Sequence, residues 1–303
     1  MTLVTMSRWS MLLACAGLIV SCGGGGGSDG DQPLQSPVSS TTPAQPTSAS
    51  NSTAALALFD AARVHSYMTT APFMYYGTGA SGVIVDAWRS GPCIENSGSR
   101  HASLDGSPVV ADARLPVGNH TYTVTFANCS VDNFAGITLD GTATAVYATT
   151  DWSNVTAQVS TGSMRATGSV DPYGTLSDVS AFGSGTLRVT ATLNTSSETY
   201  TPAIGSTLIN NRTTNVITFQ SGSLSSGYDN TGSTAIYRRT FDSLAITLNG
   251  TNYLLDGTLQ FSYVNGRPAG AGEVRITSNG VLVARIVMDS QVRAEVLAPL
   301  DVF

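Results

Sequence analysis

Three imidazoles, His65, His101 and His120, are the histidines with which this chain could exchange protons near neutral pH. A nucleophilic hydrolase would set one of them against a serine, with a carboxylate behind the ring. Serine is so frequent that chance pairings mean little. No nucleophile elbow (G-x-S-x-G between a strand and a helix), H-E-x-x-H helix or S-x-x-K pair is present. All 14 basic residues are arginine, and there is no lysine. That removes Schiff-base chemistry, pyridoxal-phosphate attachment and the phosphate-loop lysine together. The sequence therefore nominates no catalytic residue, no cofactor site and no metal site.

Two aspartates share a setting. "LDGTATAVY" starts at Leu139, 13 residues after Phe126, and "LDGTLQFSY" starts at Leu255, 14 residues after Phe241. Asp140 and Asp256 could be paired carboxylates or calcium ligands, or they could mark one β unit used twice. Calcium-binding repeats need short tandem units, which a separation of 116 residues does not supply. The expectation is a duplicated β unit, near 121–171 and 236–288, in which each Asp-Gly makes a tight turn and the threonine starts a strand.

The surrounding segments read as strands. "TYTVTFA" places Tyr122, Val124 and Phe126 on one face and threonines on the other. "GTLRVTATL" does the same with Leu187, Val189, Ala191 and Leu193, and "GTLQFSY" with Leu259, Phe261 and Tyr263. Asn279-Gly280 between "EVRITS" and "VLVARIVMD" is a strong hairpin signal. One short helix is expected earlier, capped by Ser52 or Thr53, with Leu56, Phe59, Ala62, Val64 and Tyr67 at helical spacing. The expected class is all-β: an antiparallel sheet, sandwich or barrel-like, with one short N-terminal helix.

Ahead of these elements lies a different kind of sequence. Arg8 precedes "WSMLLACAGLIVS", 13 residues that are too short to span a bilayer but match a secretory apolar region. Ile19, Val20, Ser21 and Cys22 follow the pattern of a lipobox, and here the chain resembles the signal peptides of bacterial lipoproteins. The resemblance implies cleavage before Cys22 and acylation (palmitate included) of that cysteine, which anchors stably because each buried methylene contributes about 0.8 kcal/mol. Leu12 to Cys15 is a rival lipobox with a shorter apolar run. Gly23, where the family's inner-membrane retention signal has an aspartate, implies the outer membrane.

Gly23 to Thr53 holds a glycine run, Pro33, Pro37, Pro43 and Pro46, and little apolar surface. Such composition predicts a disordered tether spanning roughly 30 Å. The expected organisation is a signal peptide over 1–21, lipidated cysteine and tether over 22–53, and a β-rich domain over 54–303.

With Cys15 and Cys22 assigned to the export signal, Cys93 and Cys129 remain. In an exported chain such a pair is expected as a disulfide, zinc being the alternative. Trp88, Trp152, Tyr75 and Tyr76 could stack on a sugar or belong to the core. Phe303 ends "EVLAPLDVF" as the closing strand of a membrane barrel would, but Pro299 breaks the ladder such a strand must make. The formal charge of -6 excludes a nucleic-acid partner in the usual electrostatic mode. What is expected is a binding or structural module of the bacterial outer membrane, held to the lipid bilayer through Cys22 and meeting an envelope protein or glycan. The alternative is an envelope hydrolase acting on polysaccharide or peptide.

Overall fold

The structure, a computed structural model, describes residues 49–70, 90–93, 97–110, 116–130, 137–150, 154–168, 178–192, 194–232, 234–264, 267–288, 291–301 and 303. Cys22, the tether up to residue 48, Tyr75, Tyr76, Trp88 and Trp152 lie outside them.

Among the described residues the chain forms one helix, α1 (Ala49–Thr69), and fifteen strands. These are β1 (Gly91–Pro92), β2 (Ser99–Leu104), β3 (Ser107–Pro108), β4 (Gly118–Ser130), β5 (Thr138–Thr149), β6 (Asn154–Thr167), β7 (Val179–Thr192) and β8 (Thr195–Pro202). They continue with β9 (Thr207–Asn210), β10 (Val216–Asp229), β11 (Ile236–Leu248), β12 (Thr251–Val264), β13 (Arg267–Ser278), β14 (Val281–Met288) and β15 (Val292–Val296). All pair antiparallel in a single sheet whose order follows the sequence, except that β3 pairs with β2 alone and β9 lies beyond the end of β8 and joins β7 to β10. Short connections between sequential strands make this meander the simplest topology.

The sheet curls around α1. The helix packs on β6 to β10 and also on β14 and β15, strands that a flat sheet would hold far apart. Ala54, Ala55, Leu58, Phe59, Ala61, Ala62, Val64 and Met68 are at most 2% exposed, so the helix is enclosed on nearly every side. Its alanines let the backbone approach the sheet closely. Ser52 and Thr53 lie inside the helix, three turns' worth of which precedes Ala61, and do not cap it.

The alternation expected for the strands is present. Tyr122, Val124 and Phe126 of β4, Leu187, Val189 and Ala191 of β7, and Leu259 of β12 point inward and are buried. The outward side is polar, with hydroxyl pairs across strands: Thr123–Thr144 at 3.1 Å, Thr125–Thr142 at 2.9 Å and Thr240–Thr258 at 3.0 Å. Cross-strand threonine pairs of this kind add to sheet stability. Asn279 and Gly280 form the two-residue turn between β13 and β14, both with positive φ.

The LDGT segments are not turns. Each lies within a long strand, β5 or β12, opposite a bulge in the strand before it. Gly141 faces Phe126, and the bulge residue Asn128 (φ 47°) donates its N–H to Asp140 Oδ1 over 2.7 Å. Gly257 faces Phe241, and Ser243 (φ 49°) donates to Asp256 Oδ1 over 3.4 Å. Asp-Gly here serves a bulge: the carboxylate accepts the freed N–H, and the glycine takes a φ of 115° or 128° that a side chain would resist. Ser163, Gly183, Gly222 and Gly272 continue these positive-φ positions across β6, β7, β10 and β13. A crease thus crosses the sheet and bends strands of 12 to 14 residues around the helix.

Cys93 and Cys129 are joined in a disulfide, with Cα atoms 5.4 Å apart. It ties the segment after β1 to the bulged end of β4 and closes 36 residues, worth roughly 4 kcal/mol by loop entropy. After β15 the chain turns inward: Leu300 and Phe303 are buried, and the Asp301 N–H donates to the Tyr253 hydroxyl of β12 over 3.1 Å.

Candidate functional site at the open end of the sheet

Two inward-facing rows of side chains lie at one end of the curled sheet. Strand register aligns Ser196, Tyr228, Tyr237, Phe261 and Gly270 across β8, β10, β11, β12 and β13. One step deeper it aligns Glu198, Ser226, Arg239, Leu259 and Gly272. A further step in, Tyr200, Leu224 and Phe241 are at most 4% exposed. In the outer rows Ser196, Glu198, Ser226, Tyr228, Tyr237 and Phe261 all keep partial exposure although they face inward. Water therefore enters the curl at this end.

The outermost row is aromatic. Tyr228 and Tyr237 have centroids 4.9 Å apart, and Tyr237 stacks on Phe261 at 4.8 Å with an interplanar angle of 8°. Glu198 stands one step in, opposite Ser226. It has no hydrogen-bond or ion-pair partner among the described residues, and burial alone pushes its carboxyl up to about 7. Part of its surface still meets solvent, so it can exchange a proton.

Deeper in, α1 supplies two polar clusters. Asp60, 3% exposed, accepts from Arg63 at 2.8 Å and from Arg239 at 3.2 Å, and the Arg239 guanidinium lies 5.0 Å from the Phe59 ring centre. A buried carboxylate held between two guanidiniums is satisfied rather than reactive. His65 is fully buried; its Nε2–H donates to the Phe182 carbonyl over 3.1 Å, which leaves Nδ1 to accept from the Tyr200 hydroxyl at 2.7 Å. Burial lowers His65 to about 4, so the ring is neutral, while burial also raises the Tyr200 phenol.

His120 sits near the start of β4. Its Nδ1 lies 2.6 Å from Asp105 Oδ2, and its Nε2 donates to the Val117 carbonyl over 3.0 Å. Both nitrogens are thus donors, and the Asp105 hydrogen bond raises its pKa. Neither His65 nor His120 has a nitrogen free to take a proton from a serine, as a triad requires. His101 is exposed on β2, opposite Thr125.

Asp140 and Asp256 lie in β5 and β12, with β6, β7, β8, β10 and β11 between them, and each accepts from its own bulge, so they do not form a carboxylate pair. Among the described residues no group of three or more His, Cys, Asp or Glu gathers around a common point. No described helix is long and apolar enough to cross a membrane.

No motif marks the Glu198 site. One signal exists: "SSETYTP" puts Glu198 on the same alternating face as Tyr200, a charge where β-strand parity calls for an apolar residue. The aromatic row is invisible in sequence because its members come from three strands aligned only by register. No family model, curated protein or solved structure matches the chain.

Proposed function

We propose that this chain is a lipid-anchored lipoprotein of the bacterial outer membrane whose β domain is a binding module, with the open end of its curled sheet as the ligand-facing surface. The observation that carries the reading is the run Ile19-Val20-Ser21-Cys22 behind a short apolar segment, followed by a glycine-rich stretch. The Cys93–Cys129 disulfide supports export, since such bonds persist in oxidising compartments. The partly exposed aromatic row supports binding rather than turnover: Tyr228, Tyr237 and Phe261 offer contact area, and neither hydrogen-bonded imidazole is placed to activate a nucleophile.

Labelling cells with a fatty-acid analogue, then fractionating their membranes, tests the anchor. The native chain should carry label and sediment with outer membranes, and Cys22→Ser should lose both. A Cys22→Ser chain that is still labelled and membrane-bound would remove the reading.

A further inference from the structure

We propose that the rim around Glu198 is a subsite for an organic ammonium head group, an inference that rests on the binding-module reading and names its ligand chemistry. The geometry has three parts. Glu198 presents a carboxyl with no partner among the described residues, at a position where solvent still enters. Beside it, Ser196 and Ser226 are small, and Gly270 at the far end of the outer row has no side chain. Tyr228, Tyr237 and Phe261 then form a contiguous aromatic wall one step outward, at centroid spacings of 4.9 and 4.8 Å.

A carboxylate in a poorly hydrated place is costly unless a cation joins it. Among the described residues no cation does so. Arg239 shares its row, two strands away at about 4.8 Å per strand, but its guanidinium turns to Asp60 and the Phe59 ring. Arg63 of α1 is bound to the same aspartate. Among the described residues the other titratable side chains of this wall are the Tyr200, Tyr228 and Tyr237 phenols, and burial raises the first of them. An ammonium ion entering from solvent would supply the missing charge to Glu198, and its alkyl groups would lie against the aromatic wall, where ring quadrupoles attract a cation.

The test is calorimetric titration of the full chain with choline and with its uncharged tert-butyl isostere, in which carbon replaces nitrogen. Choline should bind at least about tenfold tighter than the isostere, and Glu198→Gln should erase that preference. Tyr237→Ala should weaken choline several-fold, with circular dichroism confirming that the variant is folded. In the native chain, choline affinity should fall by up to about tenfold per pH unit below the Glu198 titration midpoint, and Glu198→Gln should show no such slope. Equal binding of the two ligands, no binding of choline, or an unchanged choline affinity in Glu198→Gln would overturn the proposal. The anchor is read separately. An acylated chain that ignores choline loses the ammonium site and keeps the envelope reading, whereas a choline-binding chain without acyl label does the reverse.

Discussion

The Tyr200 hydroxyl donates to Nδ1 of His65 across 2.7 Å, joining the enclosed helix to the wall of the sheet. Thr69, one helical turn on, donates to the His65 carbonyl over 2.8 Å and places its hydroxyl 3.3 Å from the same phenol oxygen. Tyr200→Phe removes the donor and leaves Nδ1 buried without a partner, which should cost about 1–3 kcal/mol in denaturant unfolding. Gly185 offers an independent route to the same bond: a Cβ there would run into the Tyr200 ring and hydroxyl. Gly185→Ala should therefore destabilise as well, and combining it with Tyr200→Phe should cost less than the sum of the two. Full additivity would show that Gly185→Ala does not act through the Tyr200 hydroxyl.

Acid and base sensitivity should nearly cancel over one window. His65 is lowered from 6.5 to about 4 by burial, so its contribution is complete above 6.5 and is lost as pH falls toward 4. At about 1.4 kcal/mol per pH unit that loss reaches about 3 kcal/mol. Glu198 is raised from 4.5 to about 7, so its contribution is complete below 4.5 and is lost as pH rises toward 7. Between about 4.5 and 6.5 the unfolded chain holds one proton more at His65 and one fewer at Glu198. From these two groups the native profile should be flat there, and Glu198→Gln should make stability climb with pH across the same interval. Parallel urea-unfolding profiles for the two proteins would refute this opposition.

Much of the fold is legible because strand parity is a local property. Tyr122, Val124 and Phe126 announce β4, and Asn279-Gly280 announces the β13–β14 turn, each within a few residues of sequence. The LDGT segments mislead for a physical reason: Asp-Gly suits any backbone that needs positive φ, and a bulge needs it as much as a turn does. Which one forms is settled by pairing with the strand before, where Gly141 meets Phe126 and Gly257 meets Phe241, more than ten residues away. Enclosure of α1 is equally non-local, since an alanine-rich helix shows no strong face until the sheet has curled over it. The candidate site is the extreme case, because Glu198, Tyr228, Tyr237 and Phe261 meet only through the registers of β8, β10, β11 and β12.

The crease makes a glycine prediction with an internal control. A Cβ on Gly257 would strike the Glu273 carbonyl of β13, and φ is 128°. Gly250, in the turn between β11 and β12, also has positive φ, at 92°, but open space where its Cβ would go. Gly250→Ala should cost only the left-handed backbone term, about 1–2 kcal/mol. Gly257→Ala should cost more, because strand separation must change as well, and its loss should be visible as a lower thermal midpoint than that of Gly250→Ala. Equal midpoints would mean that the β12–β13 spacing has slack that the crease does not use.

At the surface, the Asp105–His120 pair should titrate as a unit that holds the β2–β3 turn to β4. Asp105 opens that turn with φ 47° and accepts the Thr121 N–H over 2.8 Å, which together with His120 lowers its carboxyl pKa. His120 is raised above 6.5, chiefly by its hydrogen bond to Asp105. Its contribution is therefore complete below 6.5 and disappears as pH rises through the folded value. An NMR titration of the ring should give a midpoint above 6.5, and Asp105→Asn should bring it down, because the amide supplies neither the charge nor the same acceptor. Exposure and salt weaken the charge part of the effect but not the geometry, so the downward move in Asp105→Asn should persist, reduced, at high ionic strength. A His120 midpoint indifferent to Asp105→Asn would show that the Val117 carbonyl alone holds the ring.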